Sequence, residues 1–379
     1  MAMLYLDNSA TTKIHPEVLE AMMPYLQEEY GNPSSKFYSL AENAKKAVAK
    51  AREQVATLLG CDPDEVVFTS GATESNNMII KGIADYYGRE EGTNKRLLTT
   101  KVEHPSVIET FNFLGERGYD VSFLDVDQYA RVRVEQVKEV TAQMQPLLTS
   151  IMWGNNEIGS LNPIAELSEV FEDNGQFFHT DATQVIGKVP VDLNKLKGIR
   201  FLSMSGHKIG GPKGIGAAII RKQSKEIYTR LTPLMHGGGQ ENNYRSGTLA
   251  VHNIVGLGKA AEIAGKNIEK NVERLNELES YLISVFEFNL SGKIKFNSDN
   301  KDKIPGLISV QFIGVNNELL IKKLANYAAL SSGSACSSSK PSHVLKAVDK
   351  PLEEIRQTIR VTLEPNTDEK ALDLFGQLR

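Results

Sequence analysis

The sequence predicts an α/β fold in two parts, and three observations carry that expectation. Short apolar runs at 66–68, 96–99, 121–124, 147–152, 176–179, 200–204 and 215–220 alternate with stretches mostly long enough for a helix. Such alternation implies βαβ crossovers and a large, mainly parallel sheet covered on both faces. Residues 248–290 lack strand patterning and carry many helix formers, with Leu275, Leu278, Leu282 and Val285 as one stripe, which predicts a long helix or helix pair joining two domains. Beyond it, apolar runs at 307–312, 328–331 and 357–363, with helical patterns near 318–324 and 367–378, predict a smaller α+β domain. A length of 379 residues suits two or three such units.

Local signals support the elements in order. Ser39 and Glu42 have the S-x-x-E spacing of a capping box. After them Ala44, Ala47, Val48, Ala51, Val55 and Leu58 recur at helical spacing, and Gly60 supplies a stop. The run at 66–68 ends in a glycine turn, and Met78, Ile79, Ile80 and Ile83 mark the next helix. In parallel sheets of this kind, chemistry gathers at the carboxyl ends of the strands.

Composition narrows the function class. The net charge of −4 argues against a nucleic-acid binder, which normally shows a basic excess. The first ten residues lack the charged and apolar regions of a signal peptide, and no apolar run approaches membrane-spanning length. Only Cys61 and Cys336 occur, which excludes a disulfide framework and fits a reducing cytosol. Seven histidines without HxxxH or HExxH spacing indicate no metal site.

Four motifs could carry chemistry. TSGATES at 69–75 follows a strand and opens a helix, so Ala72 and Thr73 could offer backbone and hydroxyl donors to a phosphate; the same pattern also describes an ordinary capped turn. Asp181 ends an apolar strand, where it either caps the next helix or faces a cofactor ring nitrogen. Lys208, beyond another strand and beside Ser205, Gly206 and His207, is poorly explained as a surface charge. A desolvated lysine there can form a Schiff base with a carbonyl cofactor. Cys336 lies among serines and glycine in SSGSACSSS, the company of a reactive thiol, whereas Cys61 beside a helix-stopping glycine reads as incidental. Weaker signals are His104 in a loop and the glycine loop at 237–248 with Arg245 and Thr248, a second possible phosphate contact.

These pieces together resemble the cysteine desulfurases of the class V aminotransferase group. The matching segments are LDNSATT (6–12), GNPSS (31–35), FTSGATESNN (68–77), EH (103–104), NNEIG (155–159), HTDATQ (179–184), SGHKIGGPKGIG (205–216), HGGGQE (236–241), RSGT (245–248) and SSGSAC (331–336), in order across nearly the whole chain. The SSGSAC form looks like the subgroup that donates sulfur for iron–sulfur clusters and nitrogenase. The resemblance implies the fold type I architecture of pyridoxal 5'-phosphate (PLP) enzymes, with a large domain over 15–258, a small one over 259–379, and residues 1–14 packing near the latter.

It also implies PLP held covalently by Lys208, with His104 stacked on its ring, Asp181 at the ring nitrogen and Gln184 at the phenolic oxygen. Thr73, Ser205 and His207 would hold the phosphate, joined by Thr248 from the second subunit of a homodimer. Asn155 would lie beside cofactor and substrate, and Arg360 would bind the substrate carboxylate bidentately. The implied activity converts L-cysteine to L-alanine, with sulfur passing to Cys336 as a persulfide for a sulfur-acceptor protein in iron–sulfur or thio-cofactor synthesis in the cytoplasm. Alternatives are a PLP lyase or aminotransferase of the same fold, a selenocysteine lyase, or a low-turnover sulfur-relay scaffold. The chain departs from the family pattern at 36–41, at Asn242 and Asn243, at Glu364, and in a loop about two residues shorter between Cys336 and Pro341.

Overall fold

The computed structural model describes residues 3–90, 92–224, 227–333 and 340–377. In chain order the elements are β1 (Leu4–Tyr5), α1 (Pro16–Gln27), α2 (Ser39–Leu59), β2 (Val66–Thr69), α3 (Ala72–Gly88), β3 (Arg96–Thr100), α4 (Pro105–Gly115), β4 (Asp120–Leu124), α5 (Val134–Met144), β5 (Leu148–Ser150) and α6 (Ile164–Asn174). There follow β6 (Phe177–Asp181), β7 (Phe201–Ser205), β8 (Gly216–Ile220), α7 (Val251–Leu290), β9 (Ile294–Phe296), β10 (Leu307–Phe312), α8 (Asn317–Leu324), β11 (Ala328–Ala329), α9 (His343–Ala347), α10 (Leu352–Ile355) and β12 (Thr358–Thr362).

Seven strands form the main sheet in the order β2-β8-β7-β6-β5-β3-β4. The run from β7 to β4 is parallel, as the alternating pattern predicts. The exception is β8, antiparallel to both its neighbours. Its cause is local: Ser205 pairs directly with Gly216, and the ten residues between them are too few for the usual helical crossover. β2, reversed a second time, runs with β7. The carboxyl ends of β2, β3, β5, β6 and β7 therefore share one edge of the sheet.

Two buried cores flank the long helix. One contains Phe68, Leu98, Ile151, Phe178 and Leu202 of the main sheet together with Val251, Ile254, Leu257 and Ala261 from the start of α7. The other packs Leu275, Leu278, Leu282 and Phe286 of the same helix against Ile308, Val310, Ile359 and Val361 of the antiparallel sheet β12-β10-β9. α7 is a single helix of 40 residues, about 60 Å long at 1.5 Å per residue. Across 265–274 it has no buried residue. That stretch bridges the gap between the cores.

Three local expectations are corrected. The S-x-x-E spacing at 39–42 makes no capping box: α2 already begins at Ser39, and the N–H groups of Ala41 and Glu42 donate to the carbonyl of Tyr38. The 367–378 segment winds as a tighter 3₁₀ helix over Lys370–Gln377. The run at 328–331 supplies only β11, whose partner is the N-terminal β1, in parallel. Gly60 ends α2 in the left-handed region, as its position suggests (φ 63°).

Gly216 opens β8 where the backbones of three segments meet. A Cβ there would lie 2.4 Å from the Met204 carbonyl oxygen and 2.7 Å from Gly71 Cα. Neither atom belongs to a movable side chain. Gly216→Ala is expected to lower the urea unfolding midpoint by the equivalent of about 1–3 kcal/mol, the usual cost of overpacking.

Candidate active site

At the shared edge of the sheet lies a cavity of about 560 Å³. The turn after β2 forms one wall. Gly71 is the N-cap of α3 at φ 149°, a backbone angle that L side chains rarely adopt, and Ala72 and Thr73 follow it on the cavity wall. The first N–H groups of a helix lack intrahelical acceptors, so this turn presents donors to the cavity. Glu74 on the same wall donates no free charge. Burial alone would raise its carboxyl, but hydrogen bonds from Arg245 and Ser70 outweigh this and hold it below its ordinary value. Arg245, from the glycine loop, thus serves a carboxylate here; Thr248 is exposed and does not line the cavity.

β6 and β7 supply the floor. Asp181 is 5% exposed, and its carboxylate accepts from Asn76 Nδ2 at 2.8 Å and from the Thr183 N–H at 3.0 Å. It caps the following turn and also lines the cavity. Gln184 beside it donates to the Ser9 carbonyl at 3.0 Å, while its Oε1 is buried without a partner. After β7, Ser205, His207 and Lys208 line the cavity. Lys208 Nζ donates to the carbonyls of Ser9 and, at 2.8 Å, Ala10. His207 Nδ1 lies 3.1 Å from Thr11 Oγ1; burial, reinforced by Lys208 and Lys213, pushes its imidazole down to about 4.

His104 caps α4, its Nδ1 accepting from the Ser106 N–H at 3.1 Å. That bond sets the ring's orientation on the cavity wall. Burial holds the imidazole below its ordinary value despite the opposing pull of Asp181. Behind it Glu103 is fully buried and pushed up to about 8 by burial, accepting from Thr100 Oγ1 and the Met152 N–H. Arg360 enters from β12 only 2% exposed. Its guanidinium donates to Asp7 Oδ1 and the Asn156 carbonyl, both at 2.7 Å, and Nε is left without an acceptor.

One expected contact moves by a residue. Asn155 is 1% exposed and fully engaged in its own turn: Nδ2 donates to the Val102 carbonyl, and Oδ1 accepts from the N–H groups of Glu157 and Ile158. Asn156 lines the cavity instead. In a tight turn adjacent side chains leave in different directions, and the doubled Asn gave no way to choose between them. The N-terminal Ser9, Ala10 and Thr11 were also missed as site residues, although the LDNSATT match covers them. Cys336 lies outside the described residues. Cys61 packs against the main core, and its thiol is pushed up to about 12, chiefly by burial and then by Glu65.

The donor set fits a phosphorylated pyridine aldehyde. A helix N-terminus with Thr73, Ser205 and a neutral His207 suits a dianion, a buried carboxylate suits a protonated ring nitrogen, and the unpartnered Gln184 Oε1 and Thr183 Oγ1 are polar atoms that a polar ligand would satisfy.

The family model described as aminotransferase class-V matches residues 4–375. The chain is 42% identical over 373 residues to a cysteine desulfurase IscS from Dictyoglomus turgidum, covering 98% of this chain and 92% of that one. It is 41% identical to the cysteine desulfurase of Rattus norvegicus, covering 99% and 81%. Among solved structures, a NifS-like protein superposes with a TM-score of 0.90 at 34% identity, covering 99% of this chain and 98% of that one. A structure described as SspA in complex with cysteine superposes at 0.83, also at 34% identity, covering 97% and 100%.

Burial makes this site sensitive to acid. His179, enclosed between Ser150 Oγ and Ser203 Oγ, is pushed down to about 4 by burial, as is His207. Free imidazole titrates near 6.5, so between about 6.5 and 4 the unfolded chain binds more protons at these two histidines and they lower stability as pH drops. Glu103, raised to about 8, acts in the opposite sense, and the two imidazoles together outweigh it. Urea midpoints measured from pH 7 to 4.5 should decline through this window. His179→Asn, with no group to titrate there, should give a shallower decline.

The chain belongs to the class-V aminotransferase family and, within it, to the cysteine desulfurases.

Proposed function

We propose that this chain uses PLP bound in the 560 Å³ cavity to convert L-cysteine to L-alanine, with Lys208 as the cofactor-bearing lysine and Cys336 as the sulfur-accepting thiol. The observation that carries the reading is the convergence of Lys208, Asp181, the α3 N-terminus and Arg360 on one cavity. When bound, PLP supplies an electron sink for negative charge developing at the substrate Cα. Ala72, Thr73, Ser205 and His207 would hold its phosphate, His104 would cover the ring, Asp181 would keep the ring nitrogen protonated, and Gln184 would bond the phenolic oxygen. Asn156, which lines the cavity, would take the place expected of Asn155 beside cofactor and substrate.

Arg360 positions the substrate. Two of its five donors are spent on Asp7 and the Asn156 carbonyl, which fix the guanidinium plane and leave Nε and the remaining hydrogens for a carboxylate. Lys208, once freed by the substrate amine, would move the proton at Cα. The Cys336 thiolate would then attack the substrate sulfur. The C–S bond would break as the S–S bond forms, its electron pair staying on Cβ, where a proton from Lys208 or water completes the methyl group of alanine. The persulfide would remain on the protein. Cys61, with its thiol pushed up to about 12, offers no competing thiolate at neutral pH.

Thr248, exposed and off this cavity, would serve the cofactor phosphate of a second copy in a homodimer. The division into units of 15–258 and 259–379 is supported by the two separate cores on α7. The persulfide would pass to a sulfur-acceptor protein for iron–sulfur or thio-cofactor synthesis in the cytoplasm. Among the described residues no helix is long and apolar enough to cross a membrane.

The test is to incubate protein, PLP and L-cysteine and measure alanine together with a one-sulfur mass gain on the peptide containing Cys336. Cys336→Ala should abolish the mass gain and reduce alanine formation by about a hundredfold or more, the scale of losing an activated nucleophile. Unchanged turnover in that variant overturns the persulfide route. Lys208→Ala should lose the visible absorbance of the bound cofactor along with turnover. Arg360→Lys, which cannot present a planar fork, should raise KM for cysteine about tenfold with a smaller effect on kcat.

A further inference from the structure

Lys208 lines two cavities, and the second has no part in the reaction described above. It measures about 630 Å³ and lies between the Lys208 turn, the N-terminal segment, the segment after β12 and the bridging stretch of α7. That stretch presents Asn267, Lys270, Asn271 and Arg274 to the cavity at three- and four-residue spacing, a polar face on a helix that is apolar at both ends. Around it stand Lys13, His15, Lys188 and Lys208, with Glu364 as the one carboxylate on the wall. Arg274 is already paired with Glu277 and Glu369. Among the described residues Lys13 and Lys270 make no ion pair.

Lys188 is the decisive residue. It is more than nine-tenths buried, and its Nζ has no hydrogen-bond partner. A buried ammonium without an acceptor is costly, and neither Glu364 nor the equally unpartnered Asn8 Oδ1 on the same wall bonds to it. We propose that this second cavity binds a small anion carrying two or more negative charges, a di- or tricarboxylate or a phosphate, through the ammonium groups of Lys188, Lys13 and Lys270. The ligand would satisfy Lys188 from inside while the two exposed lysines close over it at the rim. Burial, and then the charges of Lys208 and Arg360, push Lys188 down to about 7. Above that pH an arriving anion would draw a proton onto it, placing a positive charge beside the catalytic lysine. The site stands whether or not the catalytic reading does, because it is tested by heat rather than turnover.

Isothermal titration of the PLP-saturated protein with inorganic phosphate and, separately, with citrate at pH 8 addresses this. Saturable binding of either is expected, the preferred probe separating a phosphate from a carboxylate ligand. Lys188→Met and Lys270→Gln should each weaken it about tenfold, the scale of one charge-assisted bond. Repeating the titration in Tris and HEPES should reveal proton uptake that is markedly reduced in Lys188→Met, where His15 and Glu364 remain as titratable groups on the wall besides the other lysines. If Lys188→Met does not fold, Lys270→Gln and Lys13→Gln carry the test. Absence of saturable binding, or affinity unchanged in the lysine variants that fold, overturns the proposal.

Discussion

Asp181 and Ser205 end neighbouring parallel strands, and the pairing of those strands is the constraint on which the site depends. The register of β6 on β7 sets Asp181 opposite Ser203, so the carboxylate and the turn that bears Lys208 emerge at the same edge of the sheet. A one-residue slip would send alternate side chains to the wrong face and separate them. Both strands are buried along nearly their whole length, so apolar contacts on both faces fix the register. The polar groups then sit where the sheet can no longer cover them.

Around that pair, distant parts of the chain act as braces. The carbonyls of Ser9 and Ala10 receive Lys208, and Ser9 also receives Gln184. Asp7 holds Arg360, and Asn8 donates to the Thr362 carbonyl. Glu241 pins the glycine loop by accepting from Arg52 and from the Phe68 N–H, beside the turn that opens α3. Each brace pairs a charged or amide group with a fixed partner, so the donors around the cavity are oriented before any ligand arrives.

Much of this was legible in the sequence because the relevant signals are periodic or local. The alternation of apolar runs with helix-length stretches gave the sheet, and the stripe from Leu275 to Val285 gave the second half of α7. Lys208 and Asp181 stood out because charges directly after buried strands need an explanation. What escaped was set by geometry without a periodic trace. The reversal of β8 depends on the length of one connection, the choice between Asn155 and Asn156 on the direction of a turn, and the start of α2 on a winding one residue earlier than its polar pair suggests. The contact of β1 with β11 spans most of the chain, and two-residue strands have no pattern to read. Lys188 escaped as well, because a lysine after a glycine reads as a surface charge.

The bond between Asp7 and Arg360 joins positions 353 residues apart, and β1 pairs with residues 328–329. During synthesis the segment at 4–7 is made long before its partners at 328–329 and Arg360. The main sheet, complete by residue 220, can fold while those first residues still lack a strand to join. Lys208 consequently has its backbone scaffold early but gains a finished enclosure late. Arg360 is locked by Asp7 only after the whole main sheet has been made, so the order of translation itself delays completion of the cavity wall.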